Sequence, residues 1–153
     1  MTVELDVNRH TNTCSHAGQR YVSVVARAAR NPLDRIREQC LALPETSERL
    51  SHGQPTFFVG GKRSFVMYLD NHHGDGRLAI WCAAPEGMQQ ALVGGAPEHY
   101  FVPPYVGHRG WLGVRLDQGI DWNEVAGAVE DAYLTVAPRR LVEAVGEAPD
   151  SQR

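Results

Sequence analysis

The chain has 153 residues, of which 42% are hydrophobic and 22% charged, with a net charge of −3, and this composition is ordinary for a globular protein that buries a core. It has no apolar run of the roughly 18 residues that span a bilayer, and its N-terminus lacks a signal-peptide pattern, so we expect a cytoplasmic protein that does not enter membranes. The acidic balance argues against strong binding to duplex DNA, because such binders usually carry an excess of basic residues.

Three regions of the chain differ in composition and in hydrophobic periodicity. Residues 1–30 mix polar residues without sustained periodicity, which predicts a poorly ordered N-terminal extension. Residues 31–145 are predicted to form a single domain, and residues 146–153 a polar tail. The cysteines are odd in number and widely spaced, so free thiols are expected. We expect a monomer rather than an obligate oligomer.

The first helix is predicted to begin at Asn31-Pro32, because Asn caps free amides and Pro is tolerated in the first turn. Apolar residues then recur at helical spacing: Leu33, Ile36, Cys40 and Leu43. Pro44 ends this pattern.

The middle of the chain alternates short runs rich in aromatic and β-branched residues with Gly and Pro, which predicts a meander of antiparallel strands. The predicted strands are 48–52, 56–59, 63–69, 77–82, 100–102 and 111–116. Gly60-Gly61 predicts a tight hairpin, and Asp70–Gly76 a longer, more mobile loop. A helix is predicted over Pro85–Val93, with Met88, Leu92 and Val93 inward.

The clearest predicted helix begins at Asp121, which with Glu124 resembles a capping box. Its buried stripe is predicted to contain Trp122, Val125, Val129, Ala132, Tyr133 and Val136. Pro138 ends this helix, and residues 139–145 predict a short final one. The order of elements predicts an α+β two-layer sandwich: one twisted antiparallel sheet with helices packed on one face.

Most aromatic residues are at positions where the strand or helix periodicity predicts a side chain in the core. Those predicted to be core are Phe57, Phe65, Trp81, Trp111, Trp122 and Tyr133. Tyr100, Tyr105 and His108 are expected to be partly exposed.

Two histidine-containing motifs have residue types that occur in metal sites and in catalytic dyads. His72-His73 has a residue type that binds metals, but adjacent histidines of an extended loop should point apart and no further ligand completes a shell. We predict a solvated loop and no metal site. Ser51 and His52 should face opposite sides of a strand, so they cannot form a catalytic dyad. No cofactor is predicted, and a binding protein is favoured over an enzyme.

The stretch Pro103–Trp111, "PPYVGHRGW", places a histidine and an arginine between two glycines. The prolines should make an extended entry to a turn, and Gly107 and Gly110 are predicted to take positive φ values. His108 and Arg109 then form the exposed tip of the turn.

Three segments in order resemble the MmcQ/YjbR-like family of small bacterial proteins: "LALPETSERLSHGQPTFFVGGKRSFVMY", "PPYVGHRGWLGVRL" and "DWNEVAGAVEDAYLTVAPRRL". The resemblance covers roughly residues 32–141. The positions that match the family pattern are His52, Gly53, Pro55, Phe57, Gly61, Lys62, Phe65, Pro104, Tyr105, Gly107, Gly110 and Trp111. The chain departs from that pattern at Gln54, at Ser64 and in a lengthened loop over Asn71–Gly76. The resemblance implies a CyaY-like or secretion-chaperone-like α+β fold with a "double wing" of strands, for which DNA binding has been proposed.

The function favoured at this point is weak nucleic-acid binding, with steep salt dependence because the basic residues are few. The predicted contacts to DNA or another anionic ligand are Lys62, Arg63, Arg77, His108, Arg109 and Arg115, with Tyr105 as a stacking group.

Two alternatives remain open. The first is a small-molecule-binding domain, or an enzyme of unknown reaction, whose groove contains His52, Tyr105, His108 and Arg109. The second is a protein-interaction adaptor, which would need an exposed apolar patch of several hundred Å².

Overall fold

A computed structural model of the protein describes residues 31–147. The predicted N-terminal extension and residues 148–153 of the predicted tail lie outside the described residues. The chain separates into two compact units after Asp34. The sheet and the site described below belong to the second of these units.

The first helix, α1 (Pro32–Leu41), begins and ends close to its predicted bounds. The Asn31 side-chain oxygen accepts a hydrogen bond from the Leu33 amide at 3.0 Å, as a capping residue should. Ile36 and Cys40, one helical turn apart, are fully buried.

All six predicted strands are present and form one antiparallel sheet in the described part of the chain, in the order β1-β2-β3-β4-β6-β5. Their bounds are β1 Thr46–Ser51, β2 Gln54–Val59, β3 Arg63–Asp70, β4 Leu78–Cys82, β5 Tyr100–Phe101 and β6 Leu112–Arg115. Gly60 and Gly61 have φ values of 58° and 68° and form the predicted tight turn between β2 and β3.

One face of the sheet is covered by helices. The longest of these is α3 (Trp122–Val136), whose N-terminal Asp121 side chain accepts a hydrogen bond from the Asn123 amide. The ring of Tyr133 in α3 meets the ring of Phe65 in β3 edge to face at 5.8 Å. On the same side, Arg37 of α1 forms an ion pair with Glu48 of β1 at 2.8 Å. The predicted α+β class, with one antiparallel sheet and helices on one face, is confirmed.

A β-bulge at Phe65 changes the alternation of side chains along β3. Phe57 of β2 pairs with Val66 and Phe58 pairs with Ser64, so Phe65 is an extra residue in the ladder. Ser64 and Met67 therefore both lie on the face away from the helices, although their positions differ by an odd number. Simple alternation would have placed one of them in the helix-covered core.

The remaining helices differ somewhat from their predictions. The helix α2 (Met88–Gly95) begins three residues after the predicted start, and its buried residue is Gln89 rather than the apolar ones. The last helix, α4 (Arg139–Glu147), follows Pro138 as predicted. Tyr100, predicted to be partly exposed, is buried, with its hydroxyl 3.4 Å from a carboxylate oxygen of Glu124. No helix within residues 31–147 is long and apolar enough to cross a membrane.

Candidate ligand-binding cleft

A cleft of about 620 Å³ lies on the face of the sheet away from α3. Its floor includes Thr56, Met67 and Trp81, which lie opposite one another in β2, β3 and β4. Phe57, the neighbour of Thr56, pairs with Glu48 on the helix-covered side, so alternation turns Thr56 to the other face. Three connecting segments form the walls of the cleft: the β1–β2 turn, the β3–β4 turn and the segment 103–111.

The β1–β2 turn brings His52 to one end of the cleft. Ser51 pairs with Gln54, leaving His52 and Gly53 as a two-residue hairpin loop. Both have positive φ, 52° and 77°, which is the backbone of a type I′ turn. His52 was predicted to be the last residue of a strand, and in the structure it belongs to the turn.

The β3–β4 turn folds the two adjacent histidines into the cleft. A one-turn helix over His72–Gly74 replaces the predicted extended loop, and His73 takes a φ of 54°. The Asn71 side-chain oxygen fixes this turn by accepting a hydrogen bond from the Gly76 amide at 2.8 Å. The expectation that the two imidazoles point apart is wrong: their ring centroids are 4.0 Å apart, because the backbone between them is not extended.

The segment 103–111 forms the wall of the cleft next to His73. Tyr105 has a φ of 68° and is 72% exposed, and its ring meets that of His73 at 6.5 Å. Gly110 has the predicted positive φ, 83°, but Gly107 does not. A Cβ on Gly107 would lie 2.5 Å from Cγ1 of Val102, so this position needs glycine for close packing rather than for a left-handed backbone.

Helix α2 holds this segment in place through a buried amide side chain. Nε2 of Gln89 donates hydrogen bonds to the carbonyl oxygens of Gly107, at 2.8 Å, and Trp111, at 2.6 Å. Those two carbonyls bracket the His108-Arg109 tip. The tip is therefore attached at both ends to a helix rather than only to its own backbone.

Backbone strain is concentrated around the cleft. Among the described residues, five that are not glycine have positive φ, and three of them, His52, His73 and Tyr105, line the cleft. A left-handed backbone is costly for a side chain branched or bulky near the Cα, and such costs are found most often at functional sites. Three of the five such residues thus line this one cleft, and the cost is highest for Tyr105, because histidine tolerates a left-handed backbone better than most residues do.

The electrostatics of the cleft differ from those of the chain as a whole. The thirteen residues between 31 and 147 that line it include one arginine and three histidines, and among these described residues there is no Asp or Glu. Arg109 is exposed and forms no ion pair with any described carboxylate. An acidic protein thus has a cleft whose only formal charge is positive.

Comparison with known proteins bears on the fold of this site. The family model described as YjbR matches residues 41–135, which is more than half of the chain. The chain belongs to the YjbR family. The crystal structure of Deinococcus radiodurans protein DR2400, which has a domain of the family DUF419, is similar with a TM-score of 0.60 at 16% sequence identity, covering 74% of this chain and 87% of that one. No curated protein matches the chain.

The groove predicted from sequence divides between two depressions of this YjbR domain. His52, Tyr105 and Arg109 line the cleft together. His108 does not line it, but faces a second depression of about 450 Å³ beside α2, which it shares with Arg109. Consecutive residues of the one-turn helix over Gly107–Arg109 point in different directions, which explains the division.

The cations that were predicted to contact an anion do not lie together in the YjbR domain. Lys62 and Arg63 are exposed beside the β2–β3 turn. Arg77 lies over the ring of Phe101 at 4.2 Å, and Arg115 pairs with Asp117 at 3.1 Å. Two of the six predicted cations thus already have partners within the protein, and only Arg109 lines the cleft.

Several residues of the cleft were not predicted as site residues. Trp81 and Trp111 were assigned to the core, which is correct for their burial, at 3% and 6% exposure, but they also line the cleft. His72 and His73 were assigned to a solvated loop. The His52-Gly53 pair between two apolar runs is a hairpin signal that could have identified the first turn. Within residues 31–147, no group of three His, Cys, Asp or Glu side chains is placed to hold a metal ion.

Proposed function

We propose that this YjbR-family protein is a binding protein for a small organic anion, which it holds in the cleft on the open face of the sheet. The observation that carries this proposal is the charge of the lining: Arg109 and three histidines face a cavity that no carboxylate from the described part of the chain lines. The volume of about 620 Å³ lies within the range of pockets that bind small molecules.

The chemistry of Arg109 suits an anion better than a neutral ligand. A guanidinium is planar, always charged and has several N–H donors in a fixed fork that matches a carboxylate or a phosphate. Since Arg109 has no ion-pair partner among the described residues, an anionic ligand does not have to displace one. Ser51, Ser64 and Thr56 add hydroxyl groups to the same cavity.

Thermal-shift and calorimetric titrations with a panel of carboxylates and phosphate esters test this proposal. We expect at least one anion to raise the unfolding temperature, and its neutral amide or alcohol to raise it less. Arg109→Gln should weaken the binding, and Arg63→Gln, which removes the same charge from an exposed position outside the cleft, should not. Equal loss in both variants, or equal binding of the neutral analogues, would refute an anion site in the cleft.

Nucleic-acid binding, as first inferred from the sequence, is the second candidate. One observation favours it: Lys62 and Arg63 are exposed, and Tyr105 offers a stacking surface to an unpaired base. Fluorescence anisotropy with labelled single and double strands at low salt tests it. Binding that Lys62→Gln and Arg63→Gln weaken, and that falls steeply with salt, supports this candidate; no binding at tens of micromolar removes it.

The adaptor alternative depends on a contiguous apolar patch. The exposed large hydrophobic residues in the described part of the chain are Leu41, Leu50, Val102 and Tyr105. They are distributed over α1, β1 and the segment that follows β5. Apolar residues distributed in this way do not favour the adaptor function.

A further inference from the structure

We infer that the anion held in this cleft carries an aromatic ring, and that Tyr105 is the residue that selects for the ring. This inference rests on the proposed function and names the class of ligand: an aromatic carboxylate or an aromatic phosphate ester. Its basis is a series of four side-chain rings that begins in the floor of the cleft and continues along its walls.

The four rings form a continuous series across the cleft. Trp81 in the floor meets His72 edge to face at 5.2 Å, and His72 meets His73 at 4.0 Å. His73 meets Tyr105 at 6.5 Å with an angle of 69° between the rings. No pair in this series is stacked in parallel, so a planar ligand can add a stacked contact that the protein does not make with itself.

The free surface in this series lies at its outer end. Trp81 is only 3% exposed, whereas Tyr105 is 72% exposed and His73 is also exposed. A ligand ring therefore stacks on Tyr105 and meets His73 edge to face, because the planes of these two rings are 69° apart, and His72 and Trp81 pack behind His73. An exposed tyrosine in a strained left-handed backbone has no packing contact in the core to account for the strain, whereas a ligand contact does account for it.

The ring and the charge are presented by the same segment. Tyr105 and Arg109 lie four residues apart, and both line the cleft. The Gln89 amide fixes the carbonyls of Gly107 and Trp111, on either side of Arg109. A ligand whose anionic group lies at a short distance from a planar ring satisfies both side chains at once, which an aliphatic acid or a neutral arene cannot do.

Calorimetric titration of the whole protein with four matched probes tests the inference. The probes are 2-naphthoate, 2-naphthyl phosphate, the neutral 2-naphthamide and the aliphatic decalin-2-carboxylate. We expect one or both aromatic anions to bind, and the neutral and the aliphatic probe to bind at least several-fold more weakly. Comparison of the first two probes distinguishes a carboxylate site from a phosphate site.

Variants at position 105 distinguish an effect on ligand selectivity from an effect on the stability of the fold. Tyr105→Ala should weaken binding of the aromatic anion by about twofold to tenfold, as expected for loss of one aromatic contact, and leave the aliphatic acid unchanged. Tyr105→Phe keeps the ring and should keep the preference. The readout is the ratio of the two affinities, which a merely structural effect of the substitution would not change.

The outcomes separate this inference from the proposed function. If decalin-2-carboxylate binds as tightly as 2-naphthoate, or if Tyr105→Ala weakens both equally, the aromatic selection is wrong and the anion site stands. If neither aromatic anion binds while another carboxylate or phosphate from the wider panel does, the same conclusion holds. If 2-naphthamide binds as tightly as 2-naphthoate, or no anion binds at all, the proposed function itself is wrong.

Discussion

At the scale of single residues, the backbone of Tyr105 is the most informative feature of the cleft. A φ of 68° places a bulky aromatic residue where glycine is normally found. Its side chain projects into solvent, so burial does not offset the cost. Folding alone would favour a smaller residue at this position, and the proposed ligand contact gives the tyrosine a role that the fold does not.

Glycine at position 105 should stabilise the fold relative to alanine. A left-handed backbone costs a residue with a Cβ about 1–2 kcal/mol, and the greater freedom of glycine in the unfolded chain offsets about half of that. We expect the free energy of unfolding of Tyr105→Gly, measured in urea, to exceed that of Tyr105→Ala by about 0.5–1 kcal/mol. Val106, with a φ of −111°, is the control, and there alanine should be the more stable of the two.

The described thiols should be unreactive in the folded protein. Burial raises the pKa of Cys82 to about 12 and moves that of Cys40 still further up, so neither forms the thiolate that reacts with electrophiles. In a Cys14→Ser variant, which leaves only these two cysteines, a thiol reagent near pH 8 should react slowly, at the rate of unfolding. Fast reaction of either thiol under native conditions would contradict this burial.

At the scale of secondary-structure elements, α2 determines the shape of the cleft without lining it. It is short, and its buried side chain is the polar Gln89, which bonds to two carbonyls of the segment that follows β5. A buried amide on a helix thus holds the segment in place, where a hydrophobic contact would be the usual means. The advantage is direction, since two hydrogen bonds fix the segment more narrowly than a methyl group would.

Replacement of Gln89 by methionine should loosen the segment 103–111. The substitution keeps the volume but leaves the buried Trp111 carbonyl without this donor, which costs about 1–3 kcal/mol. The Gly107 carbonyl keeps its hydrogen bond from the Gly110 amide. Urea unfolding should show a loss in that range, and hydrogen exchange should speed up in this segment first. Gln90→Met, at the exposed neighbour, should change neither quantity.

At the scale of the whole molecule, contacts between residues far apart in the sequence join the α1–β1 connection to the C-terminal helices. The Tyr133 hydroxyl donates a hydrogen bond to the carbonyl oxygen of Pro44 at 2.8 Å. Nearby, Arg140 of α4 forms a bidentate ion pair with Glu45, with a shortest distance of 2.6 Å. The connection between α1 and β1 is thus bound to the C-terminal helices, 89 and 95 residues away.

This ion pair predicts a pH dependence of stability. The hydrogen bond from Arg140 lowers the pKa of Glu45 below its ordinary value of 4.5, so its contribution is present above that value and is lost as the pH falls through the lowered pKa. Wild type should unfold at higher urea concentration than Glu45→Gln near pH 7, and the difference should vanish in acid. Since both side chains are exposed, about 0.5 M salt should also reduce the difference.

The secondary-structure elements could be predicted from the sequence, and the cleft could not, for identifiable physical reasons. Strand and helix positions follow from periodicity and from local caps such as Asn31 and Asp121. The cleft depends on a bulge at Phe65 and on left-handed backbone at His73 and Tyr105, which have no local signal. At His52 the only local signal for the left-handed backbone is the glycine that follows it. Only contacts made after folding decide these conformations, and the same holds for the anchoring role of Gln89.

The unequal placement of the three tryptophans gives the protein an optical reporter of its own. Trp81 and Trp111 line the cleft, whereas the ring of Trp122 is covered by the Arg35 guanidinium at 3.9 Å, at the start of α3. Two fluorophores therefore respond to whatever enters the cavity, and the third gives a background that does not. Replacing Trp122 by phenylalanine would leave an emission that comes from the cleft alone, so that occupancy could be followed without any label.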